Sequence, residues 1–236
     1  VENDYGYVKR KVAKCEFKIP KLNTFDFPLK TLYMKGRTFC KLDLEKIPNL
    51  VFDIREFFKI NNLDIGQYLR GFEQNFFQNA MVGFLSKRNT ILYCRAIRND
   101  LGIKFKKIVL REDEQLSDSL DYYCIDNYIR NNTIVLAEGN FDILGCYALD
   151  SLNINDKCRV YCAGCTFSYE QLLKSVCMDF SIYRPDVIIL SDADKKQYHY
   201  KSFFENCKYF INTCNIYYNS LGKDFGDYPQ KPIKLF

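Results

Sequence analysis

The stretch "TIVLAEGNFDILGCYAL", residues 133–149, decides the fold. It begins with an apolar run, Thr133 followed by four apolar residues, which predicts a buried strand, and a helical apolar pattern begins directly after Gly139. Two carboxylates, Glu138 and Asp142, lie where the strand gives way to the helix. Because they are four residues apart, they share one face of that helix. The stretch therefore marks a candidate functional site.

Composition places the chain among soluble globular proteins. It has 236 residues, of which 47% are hydrophobic, enough to bury a sizeable core. It has no run of 18 apolar residues, and its first residues lack the pattern of a secretory signal. We expect a cytoplasmic protein with no membrane partner.

Eleven cysteines are scattered through apolar runs such as "LYCRAI", which predicts reduced, mostly buried thiols. One cluster, Cys158, Cys162 and Cys165, has spacing that suits zinc. No fourth ligand lies nearby, and Cys162 belongs to a strand-like segment. Core packing is the favoured interpretation, with structural zinc as the alternative.

The positive charge lies in the first half of the chain. Net charge is +5, and residues 1–130 hold 23 Lys and Arg against 17 Asp and Glu. Residues 87–111 carry eight basic residues and one acid, interleaved with apolar residues. This alternation predicts two strands with one basic face. Such a face suits either a nucleic acid or solvent, and the stretch alone leaves both open.

Two patterns divide the chain near residue 130. After it, apolar runs alternate with helical windows, which predicts a parallel α/β sheet with strands "TIVLA", "RVYCA", "DVIIL" and "NIYYN". Before it, the pattern is mixed α and β, with helical spacing in part of "NLVFDIREFFKINN" and part of "DIGQYLRGFEQNFFQNAMVGFL", and a strand in "TLYMKGRTFC". The acidic segment "REDEQLSDSLDYY" is predicted to connect the two parts.

Acids follow three of the four predicted parallel strands, at the edge where such sheets bind ligands. The residues are Glu138 and Asp142, then Asp192 and Asp194, then Lys223, Asp224 and Asp227. Carboxylates brought together repel one another unless a cation lies among them. Oxygen ligands without histidine or thiolate favour Mg²⁺ or Mn²⁺ over zinc.

The motifs "AEGNFD" and "LSDADK" resemble the Toprim domain of DnaG-type primases, topoisomerases and several nucleases. That family has a strand ending in Glu-Gly, an Asp four residues after the Glu, and a later strand ending in Asp-x-Asp. "CAGCTFSYEQL" and "KDFGD" resemble further primase elements. Lys195 and Lys196 depart from the family, which commonly has Ala-Gly there. The resemblance covers residues 131–228 well and residues 1–130 loosely.

The resemblance implies a Toprim-type parallel sheet with flanking helices in residues 131–236, preceded by a basic α+β subdomain in residues 1–130. It implies that Glu138, Asp192 and Asp194 hold catalytic Mg²⁺ or Mn²⁺, supported by Asp142, Asp224 and Asp227. Lys223 is expected to act near the phosphates. Nucleic-acid or nucleotide binding is predicted for Lys87, Arg88, Arg95, Arg98, Lys104, Lys106 and Lys107.

The function implied is that of a bacterial or phage DNA primase core, which makes short RNA primers on single-stranded DNA from ribonucleoside triphosphates. A replicative helicase or a separate zinc-ribbon domain would be its partner. Two alternatives stay open at this stage. A Toprim nuclease would use the same acids to hydrolyse a phosphodiester, and a non-catalytic nucleic-acid-binding module would keep the fold alone.

Overall fold

The computed structural model describes residues 16–22, 43–69, 81–96, 104–111, 121–164 and 168–235. Within these residues the first half of the chain forms a four-stranded antiparallel sheet, here the small sheet. Its strands, in spatial order, are β1 (Leu50–Val51), β2 (Met81–Leu85), β3 (Ile91–Ala96) and β4 (Phe105–Val109). A 3₁₀ turn (Leu44–Lys46) and the helices α1 (Ile54–Ile60) and α2 (Ile65–Tyr68) accompany it.

The second half forms a six-stranded sheet, here the large sheet, in the order β10-β9-β8-β6-β7-β5. The four central strands are parallel and both edge strands are antiparallel. Its strands are β5 (Tyr123–Asp126), β6 (Thr133–Ala137), β7 (Cys158–Ala163), β8 (Asp186–Ser191), β9 (Thr213–Asn219) and β10 (Pro232–Lys234). The helices are α3 (Asn140–Leu149), α4 (Tyr169–Phe180) and α5 (Lys201–Cys207), the last preceded by a 3₁₀ turn (Gln197–Tyr200).

The α/β class predicted from the sequence is confirmed. All four predicted parallel strands form, and the three helical windows between them contain α3, α4 and α5. Ser168 caps helix α4, since its hydroxyl accepts a hydrogen bond from the Gln171 backbone N–H at 3.2 Å. No helix among the described residues is long and apolar enough to cross a membrane.

One apolar core joins the two sheets. The ring of Phe84, on the small sheet, packs edge to face against Tyr123 and Phe141 of the second half, at 5.1 and 5.6 Å between ring centres. A second core lies under α4 and α5, and a third under α1. Strand β5 precedes residue 131 and yet belongs to the large sheet. The domain boundary at residue 130 stays a prediction.

Each of the two segments of the first half with partly helical spacing also contains a strand, β1 in one and β2 in the other. "MVGFL", predicted as the end of a helical window, is strand β2, and all five of its residues are buried. A strand covered on both faces has no apolar period of two, so its pattern does not distinguish it from a buried helix. The predicted strand "TLYMKGRTFC" lies outside the described residues.

The last acid of the connecting segment, Asp121, is buried. Asp121 accepts hydrogen bonds from the Ser86 and Thr90 hydroxyls, at 2.5 and 2.7 Å, and from the Arg88 backbone N–H at 3.0 Å. These donors all lie in the turn between β2 and β3. Asp121 therefore fixes that turn directly beside β5.

The cysteines take the packing role that the sequence favoured. The eight in the described residues are free thiols, and six of them are buried. Cys158 packs in the core between the sheets and Cys162 in the core under α4 and α5. Cys165 lies outside the described residues.

Candidate active site

Two of the three acidic strand exits, those of β6 and β8, are neighbours in space. Strands β6 and β8 are adjacent and parallel, with Ala137 opposite Leu190. The chain leaves β6 towards β7 on one side and leaves β8 towards β9 on the other. At such a reversal α/β sheets have their ligand-binding crevice, outside the carboxyl ends of the strands. Glu138 and Asp192 are the first residues beyond β6 and β8.

A lysine lies beside Asp192. The segment after β9, residues 220–228 (the β9 loop), reaches the exit of β8, where the Ala193 N–H donates to the Lys223 carbonyl at 2.8 Å. The Lys223 ammonium lies 3.9 Å from the Asp192 carboxylate, and the lysine side chain is 69% exposed. Such a long, exposed ion pair contributes little to stability. The ammonium is therefore accessible to an anionic ligand.

Asp142 fastens the β9 loop to the start of α3. It is buried, and its two carboxylate oxygens accept hydrogen bonds from the Gly139 and Gly226 backbone N–H groups at 3.0 and 3.2 Å. The first bond closes the N-terminus of the helix, and the second bridges 84 residues of chain. Asp142 thus has a positioning role, and its predicted role as a metal ligand stays a prediction.

The other two acids of the β9 loop shape its turn. The Asp224 carboxylate accepts from the Gly226 N–H at 2.9 Å, and the Asp227 carboxylate accepts from the Lys223 N–H at 2.9 Å. The second bond holds the backbone of Lys223 next to Asp192. Metal binding by Asp224 and Asp227 stays a prediction.

The acids at this edge interact electrostatically. Burial raises the pKa of Asp142 well above its usual value, and repulsion from Asp224 and Asp192 adds to the shift. Burial also raises the pKa of Asp192; Lys223 opposes that shift, while neighbouring carboxylates, including Glu138, add to it. A bound cation would stabilise the ionised form of each group.

No preformed metal cage exists among the described residues, because nowhere do three His, Cys, Asp or Glu side chains group as a ligand set. The six acids share one edge of the sheet without closing around a point. Mg²⁺ in phosphate-transferring sites is commonly held by one or two carboxylates together with substrate phosphates. The oxygen donors of Glu138, Asp192 and Asp194 fit that mode.

Two tyrosines that the sequence did not single out lie at the acids. The Tyr200 hydroxyl donates to the Ser191 hydroxyl at 2.5 Å, one residue before Asp192. Burial raises the pKa of Tyr169, and the charges of Glu138 and Asp192 contribute to the shift. Both phenols therefore stay protonated as hydrogen-bond donors near the crevice. Among 18 tyrosines no sequence signal distinguished these two.

The prediction of one basic face on the small sheet is wrong. In the β3–β4 register Lys107 lies opposite Tyr93 and Lys106 lies opposite Cys94, so consecutive lysines occupy opposite faces. Arg95 shares the face of Lys107, and its guanidinium lies 5.8 Å from the centre of the Phe105 ring. Lys104 is exposed just before β4, and Arg98 lies outside the described residues.

The first two basic residues contact the large-sheet half. The Arg88 guanidinium pairs with the Asp179 carboxylate at 2.6 Å, and both side chains are largely buried. The Lys87 ammonium lies 4.0 Å from the centre of the Phe180 ring. Both partners end helix α4, so these two residues hold the β2–β3 turn against it. Their predicted contact with nucleic acid stays a prediction.

Replacing Gly145 with alanine is expected to displace the β9 loop. A Cβ on Gly145 would overlap the Phe225 carbonyl oxygen, a backbone atom that cannot rotate away. We expect the overlap to cost about 3 kcal/mol and to exceed the gain of about 1 kcal/mol in helix propensity. Cleavage by trypsin after Lys223 should accelerate about thirtyfold, in line with a net loss of about 2 kcal/mol.

The matched control is Ala148→Ser, an exposed position on the same helix. It should leave the rate of cleavage after Lys223 unchanged. Equal cleavage rates in wild type and Gly145→Ala would contradict the close packing of α3 against the loop.

Comparison with known proteins gives two solved structures. No protein-family model and no curated protein matches the chain. Both structures contain the RNA polymerase domain of Mycobacterium tuberculosis primase DnaG: one with a double-stranded DNA oligomer carrying a 6-nucleotide overhang, the other with double-stranded DNA. The TM-scores are 0.40 and 0.38 at 13% identity, over 61% of this chain. The chain spans about half the length of the chains it matches, 47% in each case.

Proposed function

We propose that this protein is the catalytic core of a Toprim-type DNA primase. It would make short RNA primers on a single-stranded DNA template from ribonucleoside triphosphates, with Mg²⁺ or Mn²⁺. The observation that carries the proposal is the crevice between β6 and β8, where Glu138 and Asp192 follow adjacent parallel strands and Lys223 lies beside Asp192. The motifs "AEGNFD" and "LSDADK", which contain these acids, resemble the Toprim pattern and support the proposal.

Each residue of the crevice has a defined task in this proposal. Glu138, Asp192 and Asp194 would hold the divalent cation. When bound, that cation would offset charge on the triphosphate and the leaving pyrophosphate and favour ionisation of the attacking hydroxyl. The Lys223 ammonium would contact phosphate oxygens. Asp142 would keep the β9 loop, and with it Lys223, in place.

The small sheet would contribute the template contact. Arg95 and Lys107 share the face that packs towards the large sheet, next to Tyr93. Cations on that face would bind backbone phosphates without selecting a base sequence. No covalent nucleophile is needed, which agrees with a crevice whose functional groups are carboxylates, an amine and phenols.

The experiment uses two labels in one reaction. Wild-type protein is incubated with 5′-labelled mixed-sequence single-stranded DNA, labelled ribonucleotides, and Mg²⁺ or Mn²⁺, and the products are separated on a denaturing gel. We expect short RNA that requires the metal and the template, with the DNA left intact. Shortened DNA without RNA would overturn the proposal in favour of a nuclease. Binding without either reaction would overturn it in favour of a non-catalytic module.

A further inference from the structure

Three tyrosines project from the edge of the large sheet opposite the acids. Tyr128, Tyr183 and Tyr209 are 85%, 81% and 81% exposed. They lie in the segments that lead into β6, β8 and β9, residues 127–132, 181–185 and 208–212, which together are called the amino edge here. Because parallel strands begin at one edge and end at the other, these side chains are on the far side of the sheet from Asp192.

The three segments form one continuous surface. Their strands begin in register, with Thr133 opposite Asp186 and Asp186 opposite Thr213. The Asp186 N–H donates to the Asn132 carbonyl at 3.1 Å, and the Asn212 N–H donates to the Pro185 carbonyl at 2.8 Å. Neighbouring strands lie about 4.8 Å apart, so the starts of β6, β8 and β9 span about 10 Å, and segment 127–132 extends further, to the end of β5.

The three segments are positively charged, whereas the neighbouring segment that leads into β7 carries Asp150 and Asp156. Each segment contributes one exposed cation, Arg130, Arg184 or Lys208, and none of the three contains an acid. The Lys208 ammonium lies 4.8 Å from the centre of the Tyr209 ring. Asp186 follows the second segment, and its carboxylate accepts hydrogen bonds from the Asn212 and Thr213 side chains, at 2.7 and 2.6 Å.

We propose that the amino edge binds single-stranded nucleic acid, with bases stacked on the three tyrosines and phosphates on the three cations. Aromatic rings that alternate with cations along a surface are the common means of holding a single strand without reading its sequence. A protein partner is less favoured, because each segment carries an exposed cation within two residues of its tyrosine rather than a further exposed large apolar side chain. The nucleic acid bound at the amino edge would be a part that lies outside the crevice, either a flanking segment of the template or a released product.

This inference does not depend on catalysis. The surface lies a strand length, about 17–20 Å, from the acids. It can therefore bind whether the crevice is a polymerase, a nuclease or neither, and its failure would leave the proposed function untouched.

Because the chain contains no tryptophan, an introduced tryptophan is the sole source of indole fluorescence. The variant Tyr183→Trp is titrated with unlabelled oligo-dT, and its indole fluorescence is recorded. We expect quenching when a base stacks on the ring, weaker apparent affinity at higher salt, and the same quenching when Asp192→Asn is added. Binding of labelled oligo-dT, seen by anisotropy, without any change in the indole signal would overturn the proposal.

A matched pair of triple variants separates stacking from structure. Changing Tyr128, Tyr183 and Tyr209 to leucine is expected to weaken oligo-dT binding about 100-fold, whereas changing all three to phenylalanine should keep it within about threefold. Both variants should unfold at the wild-type urea concentration, because the three side chains are exposed. Equal affinity of the leucine variant and wild type, or no binding of oligo-dT to the wild type, would overturn the proposal.

Discussion

Replacing Asp192 with asparagine is expected to lower the rate of RNA synthesis about 1000-fold, the effect of losing about 4 kcal/mol of transition-state stabilisation. The carboxylate lies at the crevice between β6 and β8 with the Lys223 ammonium 3.9 Å away. Asparagine keeps its shape and removes its charge, so the divalent cation loses a ligand. Initial rates of labelled ribonucleotide incorporation measure the effect, and Glu138→Gln should behave in the same way.

The folded state of Asp192→Asn should be as stable as wild type or slightly more stable. Burial and neighbouring carboxylates raise the pKa of Asp192, so its ionised form opposes folding at neutral pH, and the neutral amide removes that cost. Urea unfolding therefore separates a lost ligand from a lost fold. The matched control is Asp156→Asn, an exposed acid at the opposite edge of the sheet, which should retain full activity. Full activity in Asp192→Asn would rule out the assignment.

Replacing Asp121 with alanine is expected to lower the free energy of unfolding by about 4 kcal/mol, at the upper end of single substitutions. Its buried carboxylate accepts hydrogen bonds from the Ser86 and Thr90 hydroxyls and from backbone N–H groups of the β2–β3 turn. Without the acceptor these donors stay buried and unsatisfied, which costs more than the bonds themselves contributed. Urea unfolding followed by circular dichroism measures the change.

Two comparisons test the explanation for Asp121. Asp121→Asn keeps one acceptor oxygen and should lose about half as much stability. Asp64→Ala removes an exposed carboxylate that caps α2 through the Gly66 N–H at 2.9 Å, and should cost about 1 kcal/mol or less. A loss for Asp121→Ala no larger than that for Asp64→Ala would mean that the turn is held by other contacts.

The large sheet was predictable because its central strands are buried on both faces. Runs such as "IVLA" and "VIIL" are continuously apolar, and helix α4 between the strands has its own cap at Ser168. Once strands alternate with helices, topology alone places Glu138 and Asp192 at one edge. The acids of the candidate site therefore followed from local pattern and chain order.

The contacts that complete the site did not follow from local pattern. Arg88 and Asp179 are 91 residues apart in the chain, and Gly226 and Asp142 are 84 apart. No periodicity encodes such pairs, because each depends on how two distant segments pack. The faces of Lys106 and Lys107 were likewise set by the register of β4 against β3, which a one-residue shift would have reversed.

The central claim is that the acids of the crevice hold a divalent cation, and manganese binding tests it most directly. Free Mn²⁺ is measured by electron paramagnetic resonance as wild-type protein, Asp192→Asn and Asp156→Asn are each added. We expect wild type and Asp156→Asn to bind Mn²⁺ with equal affinity and Asp192→Asn to lose at least one bound ion. Identical binding curves for all three proteins would contradict the account.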